Sequence, residues 1–257
     1  MELNAIMFLI ACPLVGIAGF VDSIAGGGGL ITLPGYLIAG LPPINASATN
    51  KLSAGMGATV SFFKYTKNGF VNFKLATPCV FVAMLFSWIG ARVQMLIPEY
   101  YLKIIMLIAL PITLLIVLNK KSLKSYAMMN IKLTPRVFLL ALGISAALGF
   151  YDGLYGPATG TFLLIFFVKV VGMNIREGNG IAKAINWATN MGGLTSFLLA
   201  GKTVVILGLV AGLCSMIGSH LGSSLFIKKG VDVVRPIMIT VMIIFIIKIV
   251  LELLHVI

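Results

Sequence analysis

Two lysines, two aspartates and a run of glycines are the residues of this sequence whose chemistry is least at home in their apolar surroundings. Asp22 is followed, after three residues, by Gly26, Gly27, Gly28 and Gly29 inside an otherwise apolar run. A glycine costs about 1 kcal/mol relative to alanine at each interior helix position, so four together mark a backbone that breaks, turns or approaches something closely. In hydrocarbon every peptide group must be satisfied internally, and irregular backbone is tolerated only where protein or a water-filled cavity surrounds it. The break is therefore expected to border a site. A half-helix beginning after these glycines aims free N–H groups and the positive end of its dipole at whatever fills the cavity. The second half of the chain echoes the feature as Gly156-Pro157-Ala158-Thr159-Gly160-Thr161. There Pro157 suits a first helical position, and Thr159 and Thr161 add hydroxyls. The plainer alternative for all these glycines is close helix packing.

Lys51 and Lys183 each fall near the start of an apolar segment. A lysine at the centre of a membrane helix costs about 2.5 to 3.5 kcal/mol on insertion scales, so two at related positions argue for a purpose. The alternative is that both lie shallow enough to reach the interface. Lys183, Asn186 and Asn190 fall at i, i+3 and i+7, a polar stripe on one helical face with Trp187 beside it, while Thr49, Asn50 and Ser53 surround Lys51. Cations, amides and hydroxyls facing inward suit an oxyanion such as sulfite, sulfate or a sulfonate. Asp22 and Asp152 each precede a break by four residues. Three roles stand open for them: relaying protons, pairing with the lysines so that the empty site is neutral, or bonding to backbone freed at the kink.

Other polar residues read more simply. Arg92, late in its segment, is expected to reach an interface, and His220 to pack among small neighbours. Cys12, Cys79 and Cys214 are isolated in apolar segments and predict neither a disulfide nor a metal site. No phosphate-binding loop, dinucleotide fingerprint, nucleophile elbow or HExxH motif occurs. No catalytic residue, enzyme activity or cofactor is expected.

The elements that must position these groups follow from composition. Sixty per cent of the 257 residues are hydrophobic and ten per cent charged, with a mean hydropathy of +1.09. That composition leaves no surface for a soluble protein and predicts an integral membrane protein in the lipid bilayer. Its apolar runs lack the alternation of barrel strands, so the fold class is all-α. The net charge of +12 comes from lysines and arginines in short connections rather than along one face, which argues against a nucleic-acid partner. The N-terminal Met1-Glu2-Leu3-Asn4 has no basic stretch and predicts no cleaved signal peptide.

Breaks at Gly, Pro and charge clusters divide the chain into ten segments: 5–24, 27–40, 46–66, 75–96, 100–118, 135–153, 156–171, 178–200, 203–226 and 231–254. The second and seventh are too short to cross a bilayer comfortably and are expected to dip in and return beside the segment before them. The sequence also repeats. Gly19-Phe20-Val21-Asp22 matches Gly149-Phe150-Tyr151-Asp152, and Gly26 matches Gly156. After a two-residue insertion Lys51 matches Lys183, Gly69 matches Gly201, and Gly90 matches Gly222. The basic connections alternate between the halves, and a cytoplasmic joining segment rich in lysine (119–134) places thirteen of the nineteen Lys and Arg inside, with both termini outside. The expected organisation is a first transmembrane repeat (1–118), a basic linker (119–134) and a second repeat (135–257). With about five segments each, the two are inverted and carry short or interrupted helices near their starts. Inverted repeats with broken helices are a secondary-transporter signature. Gly208, Gly212, Gly218 and Gly222 have GxxxG spacing, which serves packing within a chain or a homodimer equally.

The run from Gly19 to Pro34 (Gly-Phe-Val-Asp-Ser-Ile-Ala-Gly-Gly-Gly-Gly-Leu-Ile-Thr-Leu-Pro), followed by Ala48-Thr49-Asn50-Lys51 and echoed from Gly149 to Lys183, resembles the sulfite exporter TauE/SafE family. The resemblance implies a multi-pass transporter of the cell membrane whose substrate is a small sulfur-containing anion such as sulfite, sulfoacetate or another organosulfonate, with export favoured. A passive anion channel with the same lining is the alternative. The second half reads Gly180-Ile181-Ala182-Lys183 where the first has Thr-Asn-Lys, so the two halves are not expected to bind identically.

Overall fold

The computed structural model describes residues 3–98, 100–102 and 134–229. The described residues are helical throughout, with no strand, and form eight helices: α1 (Ala5–Ala25), α2 (Gly29–Ile38), α3 (Pro43–Lys67), α4 (Phe73–Leu96), α5 (Pro135–Leu154), α6 (Thr159–Lys169), α7 (Ile175–Leu199) and α8 (Val205–Lys229). The expected segment 231–254, most of 100–118 and nearly all of the linker 119–134 lie outside the described residues.

Local chemistry sets the starts. Asn4, Asn72, Thr134 and Asn174 cap α1, α4, α5 and α7 through side-chain oxygens that accept from N–H groups two or three residues on, as such residues do at helix N-termini. These caps place α4 and α7 earlier than the apolar runs 75–96 and 178–200 alone indicate. Their first turns carry Lys74, Arg176 and Glu177, which a hydropathy criterion trims away. Likewise α3 begins at Pro43 rather than 46, because proline suits the first turn.

The two short helices start differently. Neither α2 nor α6 has a side-chain cap from its own N-cap residue; they begin at Gly28 and at Ala158, the latter in a left-handed conformation with φ 61. At 10 and 11 residues they are about 15 Å long, half a bilayer core. An added Cβ at Gly35 meets Leu14, and one at Gly40 meets Met7, so α2 runs back along α1 towards the end where α1 began. Tyr151 meets Phe162 with ring centroids 5.8 Å apart, near the corresponding turn between α5 and α6.

Helix lengths repeat down the chain: 21, 10, 25 and 24 residues, then 20, 11, 25 and 25. The contacts repeat too. A Cβ on Gly19 of α1 would strike Ser215 of α8, and one on Gly149 of α5 would strike Ala83 of α4; Gly222 meets Phe20 as Gly90 meets Phe150. All four GxxxG glycines of α8 are spent inside the chain, Gly208 on Leu52, Gly212 on Met56, and Gly218 and Gly222 on α1. They therefore carry no argument for a dimer.

Helices α1, α4, α5 and α8 are long and apolar enough to cross a membrane, and they present residues such as Leu9, Phe81, Leu139 and Leu213 outward. Helices α3 and α7 lie between them. Eighteen of the 25 residues of α7 are buried, which is why α3 and α7 can hold most of the polar side chains. The two run antiparallel: Trp187 Nε1 donates to Thr59 Oγ1 at 3.1 Å, while the Lys51 stem lies against Gly193.

Candidate functional site

The poly-glycine break is buried in protein. Gly26 and Gly27 take φ of 78 and 94, which L side chains rarely adopt, and Gly26 lies so close to Gly160 and Thr161 that no Cβ fits. Thr161 Oγ1 donates to Ala25 O at 2.9 Å, and Gly29 packs against Pro157. The starts of α2 and α6 thus meet, one from each half of the chain. The glycines let two broken helices touch, and by touching they bring two helix N-termini to one place.

Both lysines reach that place, and both are buried in protein. Lys51 Nζ lies 2.6 Å from Asp152 Oδ2 and also donates to the Asp152 carbonyl at 2.6 Å, with both side chains 4% exposed. Lys183 is wholly buried; its Nζ donates to the Asp22 carbonyl and stands 3.7 Å from Asp22 Oδ2. The pairs are crossed, each lysine meeting the aspartate of the other half. Each lysine also bonds the backbone carbonyl of the aspartate it pairs with, and the Asp22 carbonyl accepts the Gly26 N–H as well, at 2.8 Å. Asp22 does more. Gly28 N–H donates to its Oδ1 at 3.1 Å, which caps α2 from a distance, and Asn186 Nδ2 reaches Oδ2 at 3.4 Å.

A cavity of about 30 Å³ lies between these groups, room for about two waters. Of the residues named from sequence, Asp22, Gly28, Gly29, Asn50, Lys51 and Asp152 line it, with Gly156, Thr159, Gly160, Asn186 and Asn190. Lys183 stands just behind, its Nζ 3.7 Å from where a Cβ on Gly160 would be. Asn190 Nδ2 is engaged by Asn186 O at 2.7 Å. Asn50 is different: its side chain is buried, and its fully enclosed Oδ1 has no hydrogen-bond partner among the described residues. Buried amides are nearly always bonded, so an orphan beside a cavity wants a partner.

Besides Lys183, five named residues do not line the cavity. Gly26, Gly27, Pro157 and Thr161 build the helix crossing, Pro157 accepting from Tyr151 Oη through its carbonyl. Thr49 faces away, accepting from Val204 N–H at 3.1 Å. Conversely Ala18, Gly19, Thr32, Ala54, Ser215 and Ser219 line it unannounced. The serines 215, 219 and 223 recur every fourth residue on α8, a small-polar stripe that signals a buried face. Arg92 is exposed over the Trp88 ring at 5.1 Å. His220 is exposed rather than packed; its carbonyl accepts from Lys64 Nζ and from the Ser223 and Ser224 hydroxyls. Cys12, Cys79 and Cys214 are free thiols.

Apolar helices enclosing a buried, charged cavity where two half-helices meet are the architecture of a membrane transporter. Sequence comparison agrees. The sequence model of the sulfite exporter TauE/SafE family matches residues 11–249, and the chain belongs to that family. It is 35% identical over 228 residues to a probable membrane transporter protein, ORF9, of Sinorhizobium sp (88% of this chain, 85% of the relative). It is 34% identical over 252 residues to the probable membrane transporter protein YfcA of Escherichia coli K12 (94% and 91%). A probable membrane transporter protein of Haemophilus influenzae is 32% identical over 236 residues (91% and 89%). No solved structure matches the chain significantly.

Proposed function

We propose that this protein is a multi-pass secondary transporter of the cell membrane, moving a small sulfur-containing anion such as sulfite or an organosulfonate, with export as its working direction. The observation that carries the reading is the pair of buried lysines converging from opposite halves on one cavity that also holds the Asn50 amide, whose Oδ1 has no partner among the described residues. A buried ammonium needs a counter-charge. Here each has an aspartate, so the empty site is neutral, and a guest anion competes with a carboxylate for the same cation. The family supports a sulfur anion as cargo.

Lys51, Lys183, Asn50, Asn186 and the backbone of Gly28, Gly29, Thr159 and Gly160 form the binding groups in this reading. The antiparallel course of α3 and α7, which carry the equivalent lysines, supports an inverted repeat. Alternate exposure of the site by the two halves then follows the general scheme for such transporters.

The test is ligand-dependent thermal stabilisation of the purified protein across sulfite, sulfate, sulfoacetate and taurine. One or more of the sulfur anions should raise the midpoint in wild type and not in Lys51→Ala. No stabilisation by any of the four, or an undiminished response in the variant, overturns the reading.

A further inference from the structure

We propose that Asp22 carries a proton that accompanies the anion, so that the two move together without net charge, while Asp152 stays a fixed counter-ion to Lys51. The inference rests on the cavity being an anion site. With two lysines charged and two aspartates ionised, the four side chains sum to zero, and an entering monoanion leaves one negative charge uncompensated. An uncompensated charge in a buried site is costly, so the site favours a guest that arrives with a compensating proton.

The two carboxylates are not equal recipients. Asp152 is enclosed and in direct contact with Lys51, which also holds its carbonyl. Asp22 is 23% exposed and lines the cavity, and its Oδ2 has only a long contact to Lys183 and a 3.4 Å bond from Asn186. The ionisable groups facing Asp22 can be named element by element. Lys183 comes from α7, Lys51 from α3 and Asp152 from α5 across the cavity; Tyr65 of α3 lies behind, its hydroxyl donating to Ser23 O. Helices α2, α6 and α8 present only backbone and hydroxyls there, from Gly28, Gly160, Ser215 and Ser219. Asp22 is thus the carboxylate that solvent reaches and that is held least tightly by a cation.

The exchange balances. A proton from solution binds Asp22 Oδ2, which becomes neutral; Lys183 loses its counter-charge while keeping the Asp22 carbonyl, and the anion takes the place beside it. Moving loaded or empty, the site carries no net charge, so flux follows the combined cargo and proton gradients and not membrane voltage, and export runs down the cargo's own concentration gradient.

The experiment measures methanesulfonate affinity for the purified full chain as a function of pH. Its single charge does not titrate near neutrality, so any proton taken up belongs to the protein. Wild-type affinity should fall by up to about tenfold per unit rise in pH, the slope for one coupled proton. Asp22→Asn should bind with a pH-independent affinity close to that of wild type at the acid end. In proteoliposomes with voltage clamped by potassium and valinomycin, an inward proton gradient should drive accumulation by wild type. A flat wild-type profile, a slope that survives in Asp22→Asn, or accumulation driven by voltage alone overturns the assignment. Absence of methanesulfonate binding at every pH instead removes the anion-site reading beneath it.

Discussion

Lys51 and Asp152 stand 2.6 Å apart although they lie 101 residues apart and in opposite halves of the sequence. Removing one member of such a buried pair strands the other, at a typical cost of 3 to 5 kcal/mol, whereas removing both is often close to neutral. Lys51→Ala should therefore lower thermal stability markedly, and Lys51→Ala with Asp152→Asn should recover much of it. Anion-induced stabilisation should be missing from both. Recovery of stability together with recovery of anion binding in the double variant would mean that Lys51 is structural only.

Gly26 and Gly27 are neighbours with positive φ but different surroundings. A Cβ at Gly26 runs into the backbone of Gly160 and Thr161, while one at Gly27 meets nothing closer than 3.5 Å. Left-handed backbone costs an L residue about 1 to 2 kcal/mol. Gly27→Ala should cost about that much, and Gly26→Ala considerably more, because two broken helices must separate to admit it. Unfolding midpoints of the two variants measure the difference; equal losses would show that the close crossing of α2 and α6 is not where the strain falls.

Asn50 and Thr49 separate function from packing at adjacent positions. Asn50 Oδ1 has no partner among the described residues, and Thr49 Oγ1 accepts from Val204 N–H. Asn50→Ala should leave stability within about 1 kcal/mol of wild type, since Oδ1 has no bond to lose, and should weaken anion binding by about five- to thirtyfold, the worth of 1 to 2 kcal/mol. Thr49→Val should do the reverse, losing about 1 kcal/mol of stability with affinity kept. Paired thermal and binding measurements decide, and a stability loss in Asn50→Ala with unchanged affinity would place that amide in the scaffold.

This pair also shows what sequence could and could not reveal. Membrane class, helix count over the described residues and the breaks followed from composition and from glycine, proline and charge clusters, because those are local properties. Asp22, Lys51, Asp152 and Lys183 stood out in the sequence as candidates, since charge within an apolar chain has few innocent explanations. Which aspartate met which lysine was not, because the partners belong to helices from opposite halves and no local rule orders them. Thr49 and Asn50 differ by about 100° around one helix, and the rotation of α3 that turns Asn50 inward comes from packing against α7 and α8. Ser215 and Ser219 were hidden by the neighbouring glycines of α8, whose spacing accounts for its packing without reference to a cavity.

The location of the guest, as distinct from its charge partners, can be tested with a residue that has no charge. Ala54 lines the cavity from α3, one turn beyond Lys51 and Asn50. The space is about 30 Å³, so two added methyl groups would occupy much of it while leaving every ion pair and capping bond intact. Small-to-large changes in packed interiors cost about 1 to 3 kcal/mol where nothing can move, but here the new atoms enter an existing void, and the cost should be lower. Ala54→Val should fold with a melting temperature near that of wild type and lose most of its response to sulfite in thermal stabilisation. Normal stabilisation by sulfite in this variant would mean that the anion binds outside the cavity, whatever Lys51 and Lys183 contribute.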